Sequence, residues 1–364
     1  MREYLLCLFA AAAVTYLTMP LVRRLATRAG AMAEVRDRDV HARPTPRWGG
    51  LGMYAGMLTG LLLASKLPMM RSVFETSAAP VAILSGSLLI VLLGLADDKW
   101  SLDAPTKFAG QALAAGVMAW QGIQIVWLPI GGTLVLDPLT SIVLTVLVVV
   151  FTVNAVNFVD GLDGLAGGIV AIAAVAFFVY AFLLSVEFGF QRATLATLLC
   201  ALLAGICLGF LPHNMYPARI FMGDTGSMLI GLLLAASMIT LTGRLDPAAL
   251  KGVTLFPALL PLILPLAVIA VPVADIVLAV ARRTKAGRSP FTADKQHLHH
   301  RLLEMGHSQR RAVSLMHGWT ALVAFAAVSM AFVSVGVSLL IFVLGALAMT
   351  ALVVRPGRDP AGSV

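Results

Sequence analysis

Asp97 and Asp98 stand side by side at the end of an apolar run, ahead of Lys99, Trp100, Ser101, Leu102 and Asp103. Adjacent carboxylates repel one another unless a cation neutralises them, and oxygen-only donors suit magnesium or manganese. A second cluster places Asn154, Asn157, Asp160 and Asp163 at every third position, ahead of Gly164. On an unbroken helix that spacing drifts about 60° per step. The four share one wall only if the helix ends or tightens near Gly161 and Gly164. Plainer readings stand beside these: an exposed acidic helix end for the first cluster, and for the second an asparagine pair that bonds neighbouring helices before a glycine turn.

Asp224 sits between Gly223 and Thr225-Gly226 just before another apolar run, where it can cap a helix or bind a metal. Upstream, Phe221 offers a ring to stack on a nucleobase or to anchor at an apolar interface. The segment Ser289–Arg301 carries His297, His299 and His300 within a basic loop. Three histidines suggest zinc, but no cysteine joins them, and the surrounding cations favour phosphate; a pH sensor or plain surface histidines are the other readings. Loop 21–48 ends in arginines among prolines and glycines, including Arg43, which can grip phosphate or simply mark the cytoplasmic side.

The elements that must position these groups are membrane helices. Of 364 residues, 59% are hydrophobic and 12% charged, with mean hydropathy +0.92, whereas soluble domains are about a quarter charged. Apolar runs predict an all-α polytopic membrane protein of about eleven spans, near 3–20, 49–66, 80–96, 108–126, 138–156, 165–185, 194–211, 226–243, 256–281, 313–333 and 337–353. With the N-terminus outside and the C-terminus cytoplasmic, twenty of the 26 Lys and Arg fall on the cytoplasmic side, as the positive-inside bias requires. The acidic and histidine clusters then share that face. Residues 1–354 form one integral membrane domain and 355–364 a short tail.

Only Arg2 precedes the first apolar run, whereas Arg23, Arg24 and Arg28 follow it, so it reads as a retained helix and not a cleaved leader. Cys7, Cys200 and Cys207 fall in apolar runs, where neither a disulfide nor a metal site is expected. The net charge of +8 is spread over short loops, so membrane lipids and phosphorylated substrates are the expected partners, and nucleic acid is not.

Pro44 to Gly50, Asp97-Asp98, Asn154 to Gly164, Phe221 to Ser227 and His297 to His300 together resemble the polyprenyl-phosphate N-acetylhexosamine-1-phosphate transferase family, over roughly 36–305. The resemblance implies a magnesium-dependent exchange, with manganese as the alternative cation. In it a UDP-N-acetylhexosamine and polyprenyl phosphate, undecaprenyl or decaprenyl, yield a polyprenyl-diphospho-sugar and UMP. It makes Asp224 the leading metal ligand, with Asp98 beside it, and places Asp97 and Asp98 next to the lipid phosphate. Asn154, Asn157, Asp160 and Asp163 would line the nucleotide-sugar site, and Asn214, Phe221 and Arg43 would lie near the nucleotide. Lys107 would contact phosphate, and His297, His299 and His300 the diphosphate and sugar. The implied location is the bacterial inner membrane with the site facing the cytoplasm; a homodimer is among the states open to such a chain.

The related phospho-MurNAc-pentapeptide transferases usually carry three successive histidines where this chain has His297-Leu298-His299-His300, which favours UDP-N-acetylglucosamine as donor. An ion-coupled transporter is the alternative from another class. It would place its acids near the midplane within inverted repeats, whereas here they cluster at one face. Because the second pKa of a phosphate monoester is about 6, the lipid phosphate is mostly ionised at neutral pH, which favours direct attack over an aspartyl-phosphate intermediate.

Overall fold

The computed structural model describes residues 1–33, 44–128, 134–187, 194–242, 284, 302 and 305–354. Its helices are α1 (Arg2–Ala29), α2 (Gly49–Ala64), α3 (Pro68–Thr76), α4 (Ala79–Trp100), α5 (Ala104–Trp120), α6 (Pro138–Val159), α7 (Leu165–Glu187), α8 (Thr194–Asn214), α9 (Gly223–Thr242), α10 (Gln309–Phe332) and α11 (Val335–Val354). Two antiparallel pairings of two residues each, β1 (Met32–Ala33) with β2 (Thr45–Pro46) and β3 (Trp127–Leu128) with β4 (Leu134–Val135), qualify the all-α expectation. They tie loop ends together and build no sheet core.

Helix ends follow local chemistry. Gly30, at φ 73, closes α1 by donating its N–H back to the last turn, the left-handed stop that glycine accepts without strain. Asp103 accepts the Thr106 N–H at the start of α5, and Asp137 accepts those of Leu139 and Thr140 at the start of α6.

Ten of the eleven expected spans coincide with a described helix, and the one near 256–281 lies outside the described residues. Among the described residues, eight helices are long and apolar enough to cross a membrane, or nine if α2 and α3, bent by 96° at their junction, count as one span. The count falls below expectation because α2 and α5 have 16 and 17 residues. At 1.5 Å per residue they reach only about 24–26 Å, against a hydrocarbon core of about 30 Å.

At the centre is α9, buried at every residue from Thr225 to Thr242 and packed by α2, α4, α6 and α8. Small residues set its closest crossings. A Cβ on Gly94 of α4 would collide with the Thr225 backbone, and one on Gly50 of α2 would collide with Gly226. Such seams let helix backbones approach where lipid removes the hydrophobic drive between helices. On the outside, α11 buries only Ser338, and Leu17, Leu139, Leu147 and Leu347 are exposed, a surface suited to lipid. The three cysteines are free and buried.

The ends of α1, α4, α6, α8 and α11 and the starts of α2, α5, α7, α9 and α10 meet at one end of this bundle, through hydrogen bonds among residues 31–50, 97–107, 163–165, 213–225, 307–311 and 352–353.

Candidate functional site

Asp97 and Asp98 lie in the last turn of α4, both buried. Asp97 accepts the Leu102 N–H at 2.8 Å on one oxygen and Lys107 Nζ at 2.5 Å on the other. Asp98 faces α9: Oδ1 accepts the Asp224 N–H at 2.8 Å, while Oδ2 accepts the Thr225 N–H at 3.1 Å and the Thr225 hydroxyl at 2.6 Å. Asp98 thus caps α9 from a helix more than a hundred residues away in the chain, satisfying donors that have no partner within their own helix. The capping role that the sequence offers to Asp224 is taken, and the Asp224 side chain instead accepts Lys107 Nζ at 2.9 Å. This geometry needs Gly223, whose φ is +68 and where a Cβ would fall on the Asp98 carboxylate.

The turn before α2 is locked onto the loop before α9. Phe221 donates its N–H to the Pro46 carbonyl at 2.8 Å, while Gly49 and Gly50 donate theirs to the carbonyls of Phe221 and Met222 at 2.9 and 3.0 Å. Trp48, at φ 78, turns the chain between these bonds, and Arg47 is thereby carried to the site. The second cluster breaks its helix: α6 ends at Val159, Asp160 is its C-cap, and Gly164 takes φ +77. Asn214 Oδ1 accepts the Gly164 N–H at 3.0 Å, and its Nδ2 donates to the Ile220 carbonyl at 3.1 Å. Asp163 Oδ2 accepts the Ala218 N–H at 2.9 Å. These bonds staple the acidic turn to the loop that leads into α9.

The result is a cavity of about 200 Å³ whose wall includes Arg47, Asp98, Asn157, Asp160, Asp163, Asn214, Phe221 and Asp224. Asp97 and Lys107 adjoin it through Asp224 without forming its wall. Asn154 is elsewhere: its Nδ2 donates to Gln111 Oε1 at 2.6 Å and to the Val150 carbonyl at 2.7 Å, between α5 and α6. Arg43, His297, His299 and His300 lie outside the described residues. Arg47, Gly223 and Thr225 belong to the quoted motifs but carry no expected role there, and Gln111 sits in an apolar run with no local mark.

Among the described residues, four carboxylates against one guanidinium make the wall strongly acidic. Removal from water, then the negative charges of Asp224 and Asp98, raise the Asp160 carboxyl to about 7, while Arg47 pulls the other way. Because the folded state holds this proton more tightly than the unfolded chain, Asp160 lowers stability progressively as pH rises from about 4 to about 7, with no further loss above. Asp160→Asn is therefore expected to gain thermal stability relative to the native protein over that interval and to hold a constant advantage beyond it. Melting curves in detergent between pH 5 and 8.5 measure this, and a pH-independent difference would contradict it.

The family model described as glycosyl transferase family 4 matches residues 80–242, from α4 through α9. A decaprenyl-phosphate N-acetylglucosaminephosphotransferase of Mycolicibacterium smegmatis is 47% identical over 341 residues, covering 92% of this chain and 84% of that protein. Its counterpart from Mycobacterium leprae is 46% identical over 337 residues, covering 91% and 85%. An undecaprenyl-phosphate alpha-N-acetylglucosaminyl 1-phosphate transferase of Pasteurella multocida is 32% identical over 315 residues, covering 83% and 79%. With an acidic cavity at one end of a helical membrane bundle, and with these relatives matched along most of their length, the chain belongs to glycosyl transferase family 4, among its polyprenyl-phosphate N-acetylglucosamine phosphotransferases.

Proposed function

We propose that this protein transfers N-acetylglucosamine-1-phosphate from UDP-N-acetylglucosamine to a polyprenyl phosphate and releases UMP. The observation that carries the reading is the convergence of Asp98, Asp160, Asp163 and Asp224 on one cavity beside Arg47 and Lys107, at the end of a membrane bundle. A site at helix ends serves an acceptor held in the bilayer and a donor arriving from water. Decaprenyl phosphate is the favoured acceptor, since relatives named for it are 45–47% identical, against 32% for those named for undecaprenyl phosphate.

Magnesium, with manganese as the alternative, fits the donor chemistry. The acids present oxygen only, and the Lys107 ammonium bridging Asp97 and Asp224 marks a place that calls for positive charge. Among the described residues no three acidic, histidine or cysteine side chains enclose a metal-sized point. Asp224 is the residue proposed to hold the ion. Asp98, the second ligand expected from the resemblance, has both oxygens engaged by α9 donors and acts in this reading by fixing Asp224. When bound, the ion supplies neutralisation of the diphosphate and of the charge that spreads over the transferring phosphoryl group.

The chain's own residues do the rest. Arg47 and Lys107 oppose the repulsion between two anionic substrates, and Asn157 and Asn214 offer neutral hydrogen bonds. Phe221 offers a stacking face to the uracil. The lipid phosphate attacks the sugar-linked phosphate directly and expels UMP, and Asp97, beside the lipid phosphate in this reading, positions it and accepts its residual proton. Arg43, His297, His299 and His300 retain their proposed contacts with nucleotide, diphosphate and sugar.

In purified protein with magnesium and UDP-N-acetylglucosamine, UMP release is expected only when decaprenyl phosphate is added. Release of UDP, or release indifferent to lipid, would overturn the reading.

The same proposal includes eleven spans in a bacterial plasma membrane with the cavity facing the cytoplasm. The far-side start of α1 and the site-side end of α11 support an odd number of crossings. Because the native thiols are buried, a membrane-impermeant maleimide should label Ser334→Cys in intact cells and Ser101→Cys only after permeabilisation. The reverse pattern would invert the topology.

A further inference from the structure

We infer that Gln111 is a positioning residue, holding α5 so that the Lys107 ammonium stays between Asp97 and Asp224; the inference deepens the transferase reading and rests on it for its catalytic consequence. Gln111 is 1% exposed in the middle of a membrane helix, where an amide is costly unless its hydrogen bonds are made. Its Oε1 accepts the Asn154 Nδ2 at 2.6 Å from α6, and its Nε2 donates toward Met228 Sδ of α9 at 3.9 Å. One side chain therefore ties three helices together.

The placement of those partners gives the tie its meaning. Gln111 is four residues beyond Lys107, Met228 is four beyond Asp224, and Asn154 is three before Asn157. Residues so spaced lie on one face of a helix, about 6 Å apart along its axis for a step of four. Lys107 meets Asp224, and Asn157 stands with Asp224 in the wall of the same cavity. The site thus has two layers built from the same three helices. The upper one holds Lys107, Asp224 and Asn157, and the lower one holds Gln111, Met228 and Asn154. A slide or rotation of α5 that breaks the lower layer must move the ammonium in the upper one. The Gln111–Asn154 amide pair has one alignment, so it adds a fixed register to the apolar packing of α5 against α6.

Gln111→Met keeps length and volume and removes both amide functions. With native Tm within a few degrees, kcat is expected to fall about 10- to 100-fold, the scale of an ångström-level misplacement, while the KM for UDP-N-acetylglucosamine changes less than about two-fold. In a Lys107→Gln background the same substitution should change kcat by less than about two-fold, because the group it positions is gone. Effects that multiply, or an undiminished kcat in Gln111→Met alone, would overturn the inference. Should Gln111→Met fail to fold, Asn154→Leu cuts the same link from α6 and must give the same loss and the same masking.

A second readout needs no catalysis. Alkylation of Lys107→Cys by a small maleimide should change rate at least about five-fold when Gln111→Met is added, and an unchanged rate would refute the positioning role. Absence of lipid-dependent UMP release from the native protein would overturn the transferase reading, and the thiol measurement would still decide whether Gln111 fixes position 107.

Discussion

Asp224→Asn is expected to lower kcat by at least about 10²–10³-fold while leaving the fold intact. The magnitude is that of removing one preorganised electrostatic group from a site where charge develops. Retention of the fold follows from the division of labour at the start of α9. Asp98 bonds the backbone N–H groups of residues 224 and 225 and the Thr225 hydroxyl, and none of these bonds needs the Asp224 carboxylate. Lys107 also keeps Asp97 as a partner. The variant should therefore purify normally and melt within a few degrees of the native protein. Its single-turnover rate with saturating substrates measures the loss, and a rate within ten-fold of native would remove Asp224 from the centre of the mechanism.

Gly223→Ala is expected to be the most damaging small substitution at the site. A non-glycine residue in the left-handed region costs about 1–2 kcal/mol. Beyond that, the new Cβ would fall on the Asp98 carboxylate, which three α9 hydrogen bonds hold in place. Displacing it strands buried N–H groups at about 1–3 kcal/mol each. A total of at least about 3 kcal/mol is expected, with loss of activity. Gly161→Ala is the control: Gly161 also borders an acid of the cavity, but has an ordinary φ and nothing within 4 Å of an added Cβ, so its stability should change by less than about 1 kcal/mol. Thermal melts of both variants decide the matter, and equal effects would show that the contact between Gly223 and Asp98 is not the cause.

Much of this architecture is legible in the sequence because lipid leaves the backbone few choices. Runs of apolar residues must form helices, and polar residues must gather at their ends. The glycines at 161 and 164 made a break near Asp160 plausible, and the three-residue spacing then brings Asn157, Asp160 and Asp163 to one wall while leaving Asn154 between α5 and α6. What remained hidden depends on partners distant in the chain. Asp98 reads locally as half of an acidic pair, and only the packing of α4 against α9 turns it into a helix cap. Gln111 is one polar letter in an apolar run until Asn154 is brought opposite. Among the arginines before α2, Arg43 and Arg47 are alike in composition, and the hydrogen bonds from Pro46 to Gly50 onto the loop before α9 are what carry Arg47 to the cavity. α2 and α5 were expected as full spans, and their shortness was hidden because the apolar runs continue through the turns that end them.

The central claim is transfer of a sugar together with its phosphate, and the fate of the β-phosphorus of the donor tests it most directly. With UDP-N-acetylglucosamine labelled with ³²P at the β position, the account predicts that the label enters the organic phase with decaprenyl phosphate, that unlabelled UMP appears in equal amount, and that Asp224→Asn abolishes both. Label retained in UDP while sugar enters the lipid phase would identify a simple glycosyl transfer and contradict the account.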